Sequence, residues 1–329
     1  MRILANEDAQ MANALAERLR REAPDVALTL IGRDGTPRGP VADAEILFRF
    51  NMTNTSLVAM LQAAPNVRWV HTGSAGVDRF IGLVQQYAPQ AVLTNSSGTM
   101  SQPIAEFALG LMFAAAKQLP LFIHAQQRHE WLKSRDHLPE LRDIHGSRLL
   151  ILGLGSIGQT LARLASGVSM RVAGVRRTPL AADEQIPHVE QVFAQDGNWR
   201  ALLPEMDFVA VCLPLTPATR NLISTAELAA LPSRAWLVNI SRGAIIDEAA
   251  LIAALREKRI GGAALDVTQT EPLPPDSPLW DLPNVILTPH ISWQSPGDDA
   301  RALDLFMENL RRYRAGEPLL NVVPFDVGY

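Results

Sequence analysis

Residues 148–165 read RLLILGLGSIGQTLARLA. An apolar, strand-like run enters Gly153, Gly155 and Gly158, and a helical pattern leaves them. Only a strand, a tight turn and a helix in succession put three glycines at this spacing to use. Gly153 makes the turn, Gly155 lets the backbone approach a pyrophosphate, and Gly158 lets the helix pack close on the strand. Ser156 and Ile157 then open the helix, whose first N–H groups are suited to hold phosphate oxygens.

The surroundings continue this pattern. Strand-like runs recur at 170–175, 207–211, 235–240, 261–267 and 284–288, with helical stretches at 157–167, 225–231 and 248–257. The first third repeats it, with strands at 2–5, 27–31, 44–48, 68–71 and 91–94 and helices at 9–22 and 55–63. Alternation of this kind predicts an α/β chain with two doubly wound parallel-sheet domains. The length of 329 residues suits about two domains. A long apolar helix is expected from Ser101 to about His129, kinked or broken at Pro120, followed by a polar linker over 130–147. An amphipathic helix over 296–315 ends the pattern, with no strand expected after it.

Composition excludes several classes. Hydrophobic residues make up 47% and charged residues 19%, enough apolar material for a folded core. Lys and Arg number 30 against 34 Asp and Glu, a net charge of −4, which argues against binding nucleic acid or an anionic membrane. Arg301, Arg311, Arg312 and Arg314 alternate with Asp304 and Glu308 and read as a solvated helix face. The run FALGLMFAAA is too short to span a bilayer. Cys212 stands alone and His124 and His129 lack a partner acid, so no metal site is expected. The opening MRILANEDAQ has no signal-peptide pattern, so a cytoplasmic location is expected.

The residue after the second strand of the glycine-loop unit selects the dinucleotide. NAD calls for a carboxylate there, to accept the ribose 2′-hydroxyl. This chain has Arg176, Arg177 and Thr178. Two guanidiniums and a hydroxyl suit a 2′-phosphate, so NADP(H) is expected in preference to NAD(H), with NAD(H) possible.

Three further segments carry charged residues just past strand ends of the same sheet: Arg242 in LVNISRGAIID, Glu271 in LDVTQTEP and His290 in VILTPHISW. Strand ends of one sheet converge in space. The set suits reduction of a ketone beside a carboxylate. Arg242 binds the carboxylate and polarises the carbonyl, His290 gives a proton to the oxygen, and Glu271 orients the imidazole.

With these residues in view, the chain resembles the D-isomer-specific 2-hydroxyacid dehydrogenase family. The matching stretches are TGSAGVDRF, GLGSIG, CLPLTPATRNLI, LVNISRGAIIDEAALIAAL and LDVTQTEPLPPDSPLWDLPNVILTPHIS, over most of residues 65–295. The resemblance implies a Rossmann cofactor domain, residues 99–291, inserted in a flavodoxin-like substrate domain, residues 1–98 and 292–329, with a cleft between. It implies catalytic Arg242, Glu271 and His290, with Asp266 on the nicotinamide carboxamide. Leu213, Pro214, Thr219 and Ile240 join the cofactor contacts. Ala75 and Gly76 would hold the substrate carboxylate by backbone N–H groups, and Arg49 would help grip it. Trp293, where many members carry a small residue, would rim the substrate pocket. Arg176 resembles the NADPH-using glyoxylate and hydroxypyruvate reductase branch, and a homodimer is expected. Two other readings stay open: the same chemistry on a larger 2-oxo acid, and a dinucleotide-sensing, corepressor-like binding protein.

Overall fold

The computed structural model of the chain describes residues 1–7, 9–32, 34–132, 140–179, 181 and 184–325. Residues 133–139 of the expected linker therefore lie outside the described residues. The chain forms two compact units, Met1–Met100 with Ser295–Tyr329, and Ser101–Gln294.

In the first unit, β1 (Arg2–Asn6), β2 (Ala27–Ile31), β3 (Ile46–Arg49), β4 (Trp69–Thr72) and β5 (Val92–Thr94) form a parallel sheet. Its order is β2-β1-β3-β4-β5. Alternate strand residues face opposite sides of a sheet. Accordingly Leu4, Leu47 and Val70 join one core cluster, packed with residues of α2 (Asn54–Ala63) and α3 (Ile81–Tyr87). Ile3, Ile46, Phe48 and Trp69 join the other, packed with α1 (Ala9–Glu22). The chain's last helix (Asp298–Ala315) belongs to this second cluster through Leu303, Phe306, Met307 and Leu310. Phe306 stacks on Phe48 and Trp69 at centroid distances of 4.4 and 5.2 Å. The tail beyond that helix returns to the sheet, where Val322 makes an antiparallel bridge with Thr94, a pairing the sequence pattern did not announce.

In the second unit, seven parallel strands are ordered β12-β11-β10-β9-β6-β7-β8. They are β6 (Arg148–Leu152), β7 (Arg171–Arg176), β8 (Gln191–Ala194), β9 (Phe208–Val211), β10 (Trp236–Asn239), β11 (Gly262–Leu265) and β12 (Val285–Leu287). The chain builds outward from β6 in both directions, so β6 and β9 flank a switch point, where doubly wound sheets bind ligands at the strands' carboxyl ends. Strands β9, β10 and β11 are buried throughout, which explains their continuous apolar runs. The helices are α4 (Ser101–Ala116), α5 (Leu119–Gln127), α6 (Ser156–Gly167), α7 (Thr225–Ala230) and α8 (Glu248–Arg256). The short edge strand β8 and the short helix α3 carry too little periodicity to be foreseen.

The long apolar helix is two helices bent by 69°. The break falls at Gln118, which takes φ 53°, and Pro120 sits in the first turn of α5. Proline there starts a helix without loss, because the first-turn N–H groups have no helical acceptor. Among the described residues no single helix is long and apolar enough to cross a membrane. Most apolar side chains of α4 are buried in the protein.

Candidate active site

The glycine loop lies at the β6/β9 switch point. Gly153 has φ 106°, and a Cβ there would stand 2.7 Å from the Cys212 carbonyl oxygen. Its N–H and that of Leu154 donate to the Val175 carbonyl at 2.9 and 3.0 Å, tying the turn to β7. A Cβ on Gly158 would collide with the Gly153 carbonyl, so only glycine lets α6 pack this close. Among the described residues, a Cβ on Gly155 would meet no atom beyond its own chain neighbours within 4 Å, and no side chain caps α6. The first N–H groups of Ser156 and Ile157 thus open onto a cradle suited to a diphosphate.

At the end of β7, Arg176 donates from Nη1 to Glu184 at 2.7 Å, while Arg177 and Thr178 are exposed. Beyond β9, Leu213 is buried and Pro214 half-buried. Thr219 is also buried, and its hydroxyl donates to the Pro214 carbonyl at 2.7 Å and accepts from the Thr216 N–H at 2.8 Å. Both bonds lie within the loop, so Thr219 shapes the loop after β9. Burial pushes the Cys212 thiol up to about 12, which keeps it protonated.

The Arg242 turn follows β10 and the buried Ile240. It is held by Asn239, a fully buried residue that sequence reasoning passed over. The Asn239 amide oxygen accepts from the Ser241 N–H and hydroxyl, each at 3.1 Å, and its NH₂ donates to the Arg242 carbonyl at 2.9 Å. The Arg242 guanidinium donates to the Ser241 carbonyl at 2.8 Å. A Cβ on the next residue, Gly243, would overlap the Thr268 backbone. Glycine is therefore needed for this turn to lie against the segment that follows β11.

That segment leads to Glu271 and then to His290. Asp266, just past β11, is 1% exposed. Its carboxylate accepts from the Thr288 hydroxyl at 2.6 Å and from the Ile291 and Ser292 N–H groups at 3.0 Å each. Its carbonyl accepts the His290 N–H at 2.8 Å. His290 takes φ 56°, a conformation that costs a non-glycine residue about 1 kcal/mol or more and persists only when neighbours hold it. The Trp293 indole N–H fixes the other side of His290, donating to its carbonyl at 2.9 Å. His290 Nδ1 lies 3.0 Å from Glu271 Oε2. One nitrogen of the imidazole is thereby occupied, and Nε2 is the nitrogen left for proton exchange.

Two more of the expected residues' surroundings lie in the first unit. The Gly73 N–H donates to the Arg49 carbonyl at 3.0 Å, so the turn through Ala75 and Gly76 starts beside the end of β3. Asn95 donates to the Ala75 carbonyl at 2.8 Å, and the Ser74 hydroxyl to the Gly76 carbonyl at 3.0 Å. The Arg49 guanidinium lies 4.0 Å from the centroid of the Phe80 ring and donates to the Met52 carbonyl at 2.8 Å. Its Nε is buried with no hydrogen-bond partner, and desolvation lowers its pKa. Arg49 is thus a largely buried cation that no acid offsets among the described residues.

Residues 109–292 match the NAD binding domain of the D-isomer specific 2-hydroxyacid dehydrogenases. The chain belongs to that family. The glyoxylate reductase of Korarchaeum cryptofilum is 32% identical over 310 residues, 93% of this chain and 88% of its own length. A glyoxylate/hydroxypyruvate reductase B of Yersinia pestis is 37% identical over 233 residues, 70% of this chain and 69% of its own. A D-isomer specific 2-hydroxyacid dehydrogenase of Xanthobacter autotrophicus Py2, crystallised with NADPH and MES, matches with a TM-score of 0.85. It is 31% identical and covers 99% of each chain. As a D-2-hydroxyacid dehydrogenase the chain is an NAD(P)-dependent oxidoreductase, and the cradle around Gly155 fits a dinucleotide's diphosphate.

Proposed function

We propose that this dehydrogenase reduces a small 2-oxo acid, glyoxylate or hydroxypyruvate, to the D-2-hydroxy acid with NADPH. The observation that carries the reading is the 3.0 Å contact between His290 and Glu271. An acid–base pair there has its orienting carboxylate already in place. Glyoxylate and hydroxypyruvate are the substrates named for the Korarchaeum and Yersinia relatives.

NADPH, held at the glycine loop with its 2′-phosphate at Arg176, Arg177 and Thr178, supplies the hydride when bound. The protein does the rest. Arg242 takes the substrate carboxylate through its planar fork and polarises the adjacent carbonyl. The imidazolium of His290 donates its Nε2 proton to the carbonyl oxygen. Glu271 accepts the Nδ1–H, which stabilises the imidazolium and fixes the ring. In the reverse direction the same Nε2 accepts the hydroxyl proton. Asp266 holds the histidine loop and is assigned to the carboxamide, and Leu213, Pro214, Thr219 and Ile240 are assigned to line the dinucleotide.

We assign the dinucleotide to the second unit and a share of the substrate binding to the first. Ala75 and Gly76 offer backbone N–H groups to the carboxylate, and the charge of Arg49 adds to the grip. The same reading makes the enzyme a cytoplasmic homodimer. The exposed apolar side chains of Leu119, Ile123 and Trp131 support a self-association surface on and beyond α5.

The test is the loss of nicotinamide absorbance with NADPH and NADH in parallel, on glyoxylate, hydroxypyruvate, pyruvate and phenylpyruvate. Rapid NADPH oxidation with the two small acids is expected. A preference for phenylpyruvate overturns the substrate class, and a preference for NADH overturns the cofactor. No turnover in protein that binds dinucleotide favours a sensing role instead.

A further inference from the structure

The guanidinium of Arg176 already has an anion. Glu184, eight residues on, accepts from Nη1 at 2.7 Å. Its other carboxylate oxygen accepts from the Ala181 N–H at 3.3 Å, and its own N–H donates to the Ala181 carbonyl at 3.1 Å. These bonds hold the carboxylate at the end of β7. The arginine beside it, and then the Ala181 N–H, hold the Glu184 carboxyl below the usual carboxylate range, so it is charged at neutral pH. The two side chains are 29% and 45% exposed, which makes the pair accessible and weak enough to exchange partners.

The two nicotinamide dinucleotides differ in one group, and it is the group that meets this pair. A 2′-phosphate is an acceptor and competes with Glu184 for Arg176, while lying next to a like charge. A 2′-hydroxyl is a donor and finds in Glu184 the carboxylate that NAD sites use. We propose that Glu184 is a cofactor-specificity residue. It competes with the 2′-phosphate for Arg176 and serves as acceptor for the 2′-hydroxyl, so the preference for NADPH over NADH is smaller than the arginines alone would produce. The proposal rests on Arg176 being the 2′-phosphate contact.

The experiment measures Kd for NADPH and NADH by fluorescence titration of the full-length protein without substrate. It compares wild type, Glu184→Gln, Arg176→Ala and the double variant, each checked for folding by its melting temperature. Glu184→Gln is expected to raise the ratio of the NADH to the NADPH Kd by about two- to fivefold, the range an exposed ion pair supports. In the Arg176→Ala background the same change should raise the ratio less than in the wild type, because the competition needs the arginine and only the carboxylate's direct effect on the 2′-group is left. High salt should shrink the effect. If Arg176→Ala collapses the ratio while Glu184→Gln leaves it unchanged or lowers it, Glu184 merely holds the Ala181 N–H and the proposal fails alone. If Arg176→Ala leaves the ratio unchanged, the phosphate contact lies elsewhere and both readings fall.

Discussion

Asp266 brackets His290. Its carboxylate takes the Thr288 hydroxyl on one side of the histidine and the Ile291 and Ser292 N–H groups on the other, and its carbonyl takes the His290 N–H itself. Four bonds from one buried residue hold a histidine in the left-handed region, where few residues other than glycine rest. Asn239 does the same for the Arg242 turn at the neighbouring strand end, and the two clasps meet where the Asp266 N–H donates to the Asn239 carbonyl at 2.9 Å.

Replacing Asp266 by Asn should therefore uncouple the loop from the sheet. One end of an amide cannot accept, so at least one of the Thr288, Ile291 and Ser292 donors faces an NH₂ group. A buried unsatisfied donor costs about 1–3 kcal/mol. The expected outcome is a drop of that size in stability together with a fall in kcat, since the imidazole loses its fixed position. Denaturant melts and steady-state kinetics on Asp266→Asn check both, and an unchanged kcat with reduced stability would limit Asp266 to a structural role.

The acid–base assignment is tested by two variants that differ in what they remove. His290→Ala deletes the proton donor, and general acid–base catalysis contributes about 10²- to 10⁴-fold, so kcat should fall by that range. NADPH binding should survive in it. Glu271→Gln keeps an acceptor for Nδ1–H but removes the charge that favours the imidazolium, so its loss should be smaller than that of His290→Ala. Near-normal turnover in His290→Ala would refute the role.

The glycine loop was legible because three glycines between an apolar strand and a helix serve few other ends, and the structure explains two of them by close approach to Cys212 and Gly153. The nearness of Glu271 and His290 followed from both lying past strand ends of one sheet. The clasps were not legible, because Asn239 and Asp266 close apolar runs and look like strand ends until their hydrogen bonds are seen. The bonds of the Thr219 hydroxyl within its own loop leave no trace in the pattern either, and its contact with the cofactor is a proposal. Glu184 gave no signal, since it lies outside any helix or strand and its bond to Arg176 leaves no periodic trace. The helix break at Gln118 was displaced from Pro120, because a first-turn proline starts a helix as readily as an internal one breaks it.

Trp293 separates ring size from hydrogen bonding. Its indole N–H holds the His290 carbonyl, and the residue is 38% exposed. Trp293→Phe keeps an aromatic ring and loses the donor. Removing one neutral hydrogen bond is worth about 1 kcal/mol, so kcat should fall by up to about fivefold while the ranking of small over bulky 2-oxo acids stays as in wild type. Trp293→Ala loses both, and activity on phenylpyruvate relative to glyoxylate should rise. An unchanged substrate ranking in Trp293→Ala would show that the ring does not limit substrate size.

His71 makes the first unit acid-sensitive. It is fully buried on β4, with Nδ1 2.7 Å from the Thr94 hydroxyl and its ring 5.6 Å from Phe48 and 5.4 Å from Phe306. Burial pushes its pKa down from 6.5 to about 3. Between those values the unfolded chain binds a proton that the folded chain excludes, so stability is fully present above pH 6.5 and declines as pH falls toward 3. At about pH 4.5 the loss from this one group is roughly 2 to 3 kcal/mol. His71→Asn keeps a polar atom near Thr94 and removes the titration. Its urea midpoint should therefore fall less between about pH 7 and about pH 4.5 than that of the wild type, even if it starts lower. Parallel declines in the two proteins would show that other groups set the acid sensitivity.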